Sequence, residues 1–136
     1  MRLYHYACSH SAAAIEREQK VKPMLSWGAL DYVLRQEGLP ESGLVNAPPI
    51  VWLTDMTAAD DVMALGLTSD TISCDRTEYR YEVDVPEIKW DTFALLNGAN
   101  RAWRNVLESH GKPEHWFVAL EPATVLGVQI KGHVAQ

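Results

Sequence analysis

The stretch "CDRTEYRYEVDVPEI" alternates without a break. Thr77, Tyr79, Tyr81, Val83 and Val85 fall on one side, and Arg76, Glu78, Arg80, Glu82 and Asp84 on the other. Successive side chains of a strand point to opposite faces, so this period of two predicts a half-buried β-strand. A second strand is marked differently. In "APPIVWLTD" two prolines bar a helix, and Ile50, Val51, Trp52 and Leu53 then form the apolar run of a buried strand. "LYHYA" is a third, with Leu3, His5 and Ala7 on one face and Tyr4 and Tyr6 on the other. "HWFVALEP" and "TVLGVQIKGHV" close the chain as two more, with Pro122 between them.

Helical signals lie between these strands. Ser11 caps a helix through Ala12, Ala13, Ala14 and Ile15 that fades before Pro23. "ALDYVLRQEGLP" reads as a helix stopped by Gly38 and Pro40. "TAADDVMALG" begins at Asp55 or Thr57, with Asp60 three residues after Thr57 as in a capping box, and ends at Gly66. Trp90, Phe93, Leu96, Trp103, Val106, Leu107 and His110 share the face of an amphipathic helix broken near Asn97-Gly98 and ending at Gly111. Strands and helices mix without regular βαβ alternation, so the expected fold class is α+β. We read one domain over 1–136: a small split mixed or antiparallel sheet with flanking helices, and an insertion or lid at 24–49. That insertion carries Trp27, Tyr32 and Leu34, more apolar surface than a solvated loop normally holds.

Composition sets the outer limits. Apolar residues at 47% and charged residues at 22% of 136 describe a globular chain with a sizeable core. No apolar run approaches the roughly 20 residues that span a bilayer, and the N-terminus lacks a signal-peptide pattern, so no membrane is expected. Cys8 and Cys74 are too few for a disulfide framework and suit a cytoplasmic location, a single bridge between them remaining open. The net charge of -6 argues against general nucleic-acid binding but leaves room for a local basic pocket. The five tryptophans read as core anchors. A monomer or a homodimer is expected.

Three chemistries suggest themselves near the N-terminus and around the late carboxylates. His5, Cys8 and His10 form an H-x-x-C-x-H run of zinc-compatible types, but no second ligand pair follows, so no metal is expected. Cys8 or Cys74 as a nucleophile needs a base and an orienting group close in space. Phosphate-cradling glycine loops and a G-x-S-x-G elbow are absent. Glu114, directly before one strand, and Glu121, at its other end, remain as carboxylate candidates, although a single Glu is usually a solvated surface residue.

Together, the strand "LYHY", a helix ending in "KVKP", the strand "VWLTD" and the closing "PEHWFVALEPATVLGVQIK" resemble the ADP-ribosyltransferase superfamily, over Leu3 to Ile130. The resemblance implies an ADP-ribosyltransferase-like fold and an enzyme that takes NAD, or a related nucleotide, as substrate. It would transfer ADP-ribose to a protein, nucleic-acid or small-molecule acceptor. It implies that His5 bonds the adenosine ribose and that Glu114 is the catalytic carboxylate holding the nicotinamide ribose. Trp52, Tyr79 and Tyr81 compete for the aromatic place against the nicotinamide, and Arg76 or Arg80 is expected at the pyrophosphate. "HYA" departs from the family's H-G-T: Tyr6 stands where a glycine lets the nicotinamide amide approach the backbone. That departure keeps a second expectation open, a catalytically inactive nucleotide-binding or protein-interaction module of the same fold.

Overall fold

The computed structural model describes residues 2–23, 32, 35–38, 40–57, 78–109 and 111–130. Among these, seven strands form one antiparallel sheet: β1 (Leu3–Ala7), β2 (Lys20–Val21), β3 (Val51–Thr54), β4 (Tyr79–Asp84), β5 (Ile88–Lys89), β6 (Trp116–Ala119) and β7 (Ala123–Ile130). Their order is β2-β7-β4-β1-β3-β6-β5, which puts the first strand at the centre. Among the described residues three continuous helices accompany the sheet, α1 (Ser9–Glu18), α2 (Trp90–Leu96) and α3 (Arg101–Glu108), and Tyr32, Arg35 and Gln36 are helical as well. The fold class is α+β, as the strand and helix signals predict.

Alternation sorts the sheet into two faces. On one, Leu3, Ala7, Val51, Leu53, Tyr81, Val83, Phe117 and Ala119 bury against Ala12 and Ile15 of α1. On the other, Trp116 and Val118 join Trp90, Phe93, Ala94 and Trp103 of α2 and α3, with Leu44 and Ile50 completing the cluster. Trp52 lies against this second cluster, its ring 4.7 Å from that of Trp90 and 6.1 Å from that of Trp116. The tryptophans are core anchors here: Trp90 is fully buried, and its indole N–H donates to Glu108 at 2.9 Å.

The helix break falls where the sequence puts it. Gly98 has φ +72°, a left-handed conformation that suits glycine, and the Asn100 side chain accepts from the amides of Ala102 and Trp103 to start α3. The helix α1 starts a turn earlier than its sequence suggests. The amides of Ser11 and Ala12 both bond the Cys8 carbonyl, so Cys8 is the N-cap and Ser11 lies inside the first turn. The two-residue strands β2 and β5 were not foreseen, because two residues carry no periodicity.

Part of the expected 24–49 insertion lies outside the described residues, including Trp27 and Leu34. Its described end is core. Leu44 is fully buried in the tryptophan cluster, and the Ser42 carbonyl accepts from the Asn100 amide while its hydroxyl accepts from the Leu44 amide. Most of the expected "TAADDVMALG" helix, together with Arg76 and Cys74, also lies outside the described residues.

Two irregularities of the ladder matter below. The strands β1 and β3 share a single register pair, Tyr4 with Thr54, so the sheet has a seam beside its central strand. On β7, Gly127 pairs Glu82 but Val125 pairs Val83, which leaves Leu126 as an extra, bulged residue. A bulge shifts alternation by one. Beyond it, Gly127 and Gln129 join Glu82 and Arg80 on the tryptophan-bearing face.

Candidate functional site

His5 lies on the α1 face at the seam. Its Nδ1–H donates to the Trp52 carbonyl at 2.8 Å. A carbonyl only accepts, so the bond fixes the proton on Nδ1 and leaves Nε2 as the acceptor of the neutral ring. Burial pulls the His5 pKa below its usual value, and the Trp52 carbonyl, which favours the charged ring, only partly opposes this. His5 is therefore a neutral, oriented imidazole. Its register partner on β4 is Tyr81, on the same face, and Tyr79 stacks parallel to Tyr81 at 6.2 Å. Tyr81 is buried and donates its hydroxyl to Glu16 of α1 at 3.2 Å. Its pKa is pushed well up, first by burial and then by that carboxylate.

The other expected residues fall on the opposite face. Tyr6 is buried there and donates its hydroxyl to the Met56 carbonyl at 3.0 Å. Burial raises its pKa, with the Arg80 guanidinium pulling the other way. Arg80 lies with its guanidinium carbon 5.0 Å above the Tyr4 ring and donates to the Thr57 carbonyl at 2.9 Å. Trp52 is held in the tryptophan cluster. The residues the resemblance groups around NAD thus divide: His5, Tyr79 and Tyr81 share one face, while Tyr6, Trp52 and Arg80 share the other. Arg76 lies outside the described residues.

Glu114 is exposed in a 3₁₀ turn, Pro113–His115, that leads into β6. Strand register carries Tyr4 to Thr54 and Thr54 to Trp116. That arrangement puts Glu114 two strands across and three residues along from His5, on the order of 12 Å away by the usual strand spacings. The two therefore do not touch. Beside Glu114 is a pair the sequence did not reveal. His115 Nδ1 meets Asp55 Oδ1 at 2.7 Å, both side chains partly exposed. A carboxylate holding Nδ1–H orients the ring and leaves Nε2 free to exchange a proton. The partners are 60 residues apart in sequence, so no local pattern announces them; only the placement of each at the end of a strand does.

The readings at the N-terminus resolve simply. Cys8 is disulfide-bonded and so presents no thiolate. Its sulfur lies 3.8 Å from His10 Nδ1, while the His5 ring is turned to Trp52. Among the described residues no three His, Cys, Asp or Glu side chains converge as metal ligands would. No helix there is long and apolar enough to cross a membrane. Glu121 is exposed, as an ordinary surface carboxylate is. No family model, no curated protein and no solved structure matches this chain.

Proposed function

We propose that the protein is an ADP-ribosyltransferase-like enzyme that uses NAD or a related nucleotide. One observation carries this reading. The motif strands "LYHYA", "VWLT" and "WFVA", scattered along the sequence, lie side by side as β1-β3-β6 at the centre of the sheet. His5 sits on the first of them, and Glu114 directly precedes the third.

The chemistry asked of these residues is modest. Breaking the glycosidic bond to nicotinamide develops positive charge on the ribose carbon and ring oxygen. The Glu114 carboxylate, bonded to the ribose hydroxyl, would stabilise that charge, and His5 would position the far ribose through a hydrogen bond. The separation of His5 and Glu114 suits a dinucleotide, whose two riboses are held apart by a pyrophosphate. Arg76 remains the pyrophosphate partner in this reading.

A second reading is favoured by Tyr6. Its buried ring, pinned through the hydroxyl to Met56, fills the place where the family has glycine. A protein with that change would bind a nucleotide without turning it over. One experiment addresses both readings. The protein and Glu114→Gln are incubated with NAD, and nicotinamide is measured by chromatography beside a calorimetric titration. The enzyme reading expects nicotinamide release that falls about 10²-fold in the variant, the scale set by losing one charge-stabilising group. Saturable heat with intact NAD favours the binding module. Equal release from both proteins, or neither heat nor release, sinks the proposal.

A further inference from the structure

On the tryptophan-bearing face, away from His5 and beyond the reach of α2 and α3, the sheet carries a cavity of about 210 Å³. Its floor is made of two cross-strand rows. Tyr4, Glu82 and Gly127 are register partners across β1, β4 and β7, and Tyr6, Arg80 and Gln129 form the next row. Arg2 stands at its edge, and Tyr4, Arg80, Glu82, Gly127 and Gln129 line it.

The two arginines are unusual in what they leave unspent. Arg80 is stacked on Tyr4 and tied to the Thr57 carbonyl, yet it pairs with no carboxylate among the described residues. The Tyr4 ring, the Thr57 carbonyl and the neighbouring Tyr6 hydroxyl fix the plane of the guanidinium before any ligand arrives, and the donors left over can meet a phosphate. Arg2 reaches Glu82 only at 3.9 Å, with its side chain largely exposed. A contact that long leaves most donors of Arg2 and most acceptors of Glu82 unused. In a chain of net charge -6, two such arginines on one cavity are a local exception.

Glu82 makes the site selective. A bare polyanion would meet its repulsion, whereas a sugar hydroxyl pair donates to a carboxylate, as ribose does in dinucleotide sites. Gly127 makes room for it: a Cβ built there meets nothing within 4 Å. The volume is below the roughly 300 Å³ at which drug-sized pockets begin. Its size matches one sugar phosphate better than a whole dinucleotide.

The geometry points to this cavity as a binding site for a phosphorylated ribose, with Arg80 and Arg2 on the phosphate and Glu82 on the sugar hydroxyls. The site is distinct from the His5–Glu114 region and does not depend on that reading.

Calorimetry at low ionic strength with ribose 5-phosphate, inorganic phosphate and ribose tests it. Ribose 5-phosphate is expected to bind saturably and more tightly than either fragment. Arg2→Ala should weaken it about tenfold, the value of one charge-assisted hydrogen bond. Gly127→Leu, which fills the cavity from a position with free space around it, should abolish binding with an unchanged thermal midpoint. Glu114→Gln should bind as well as the parent, which separates this site from the NAD chemistry. No saturable heat with ribose 5-phosphate, or equal binding by Gly127→Leu, overturns the site. Inorganic phosphate binding as tightly as ribose 5-phosphate overturns the assignment of its ligand.

Discussion

Arg104, in the helices that cover one half of the tryptophan-bearing face, and Arg80, on the strand that floors the other half, use their guanidinium groups in opposite ways, and the difference separates structure from function. Arg104 lies on α3 and bridges to α2, its side chain 6% exposed, with Nε on Glu108 and Nη2 on Asp91, each at 2.6 Å. Burial alone would lower its pKa, but the two carboxylates more than offset that and hold the charge. Glu108 also accepts from the Trp90 indole, which knits the two helices together. Arg80, flanked by tyrosines on its strand, spends its charge on a ring and a carbonyl. The first arginine is satisfied and closed. The second is oriented and left open. A half-buried cation with a fixed plane and unused donors is the more informative of the two, because folding alone does not require it to stay unpaired.

The sharpest test of that contrast is to truncate both. Arg104→Ala removes a buried charge and strands Glu108, and breaking such a pair costs about 3 kcal/mol, the lower end of the usual range because Asp91 is largely exposed. For a domain of 136 residues that corresponds to a fall of roughly 10 °C in thermal midpoint. Arg80→Ala gives up a ring contact and one backbone bond, about 1 kcal/mol at most. Equal losses in the two variants would break the comparison, since Arg80 would then be a structural residue too.

The same contrast marks what the sequence allowed. The alternation from Tyr79 to Val85 needs only local information, and the structure keeps it. Pro48 and Pro49 made β3 legible, and Asn97-Gly98 made the helix break legible. Both work through backbone conformation, which acts over a few residues. What escaped is long-range or minimal in length. The His115–Asp55 pair joins the ends of β3 and β6, and β2 and β5 are two-residue additions at or near the sheet's edges. The sequence puts Arg80 on one strand face with Glu78, Glu82 and Asp84, which says nothing of which of them it meets. The fold instead gives Glu82 to Arg2 at long range and turns Arg80 onto Tyr4. The bulge at Leu126, which brings Gly127 and Gln129 into that row, has no signature in "TVLGVQIK" beyond the glycine itself.

A smaller effect is expected from His5, on the opposite face, and it has a definite sign. Burial holds its folded pKa below the ordinary 6.5. The unfolded chain then binds the proton more readily than the folded one, so acid favours unfolding. The contribution of the neutral ring is fully present above pH 6.5 and is lost as pH falls from there through the folded pKa. Urea denaturation at stepped pH should show stability declining below pH 6.5, and His5→Gln should flatten that decline. A slope unchanged by the substitution would show that the acid response arises elsewhere, and His5 would lose its place as the buried neutral imidazole.

The smallest effect separates two glycines. Gly43, beside the tryptophan half, has φ +77°, and a Cβ there would lie 2.8 Å from the Gly98 carbonyl oxygen, so that glycine is required by the fold. Gly127 has neither constraint: its backbone is not left-handed, and its Cβ position is open. A glycine inside a strand normally weakens the element and often marks a bulge, as at the neighbouring Leu126, but outside the left-handed region that bulge does not require one. Gly127→Ala should therefore leave stability unchanged or raise it by about 0.5 kcal/mol, through the reduced freedom of the unfolded chain. Differential scanning calorimetry on this one variant decides the point. A loss above about 1 kcal/mol, larger than surface substitutions normally give, would mean that Gly127 serves the strand itself. With stability retained, the strand itself does not need the space above Gly127, and among the described residues that space is available to an occupant of the cavity.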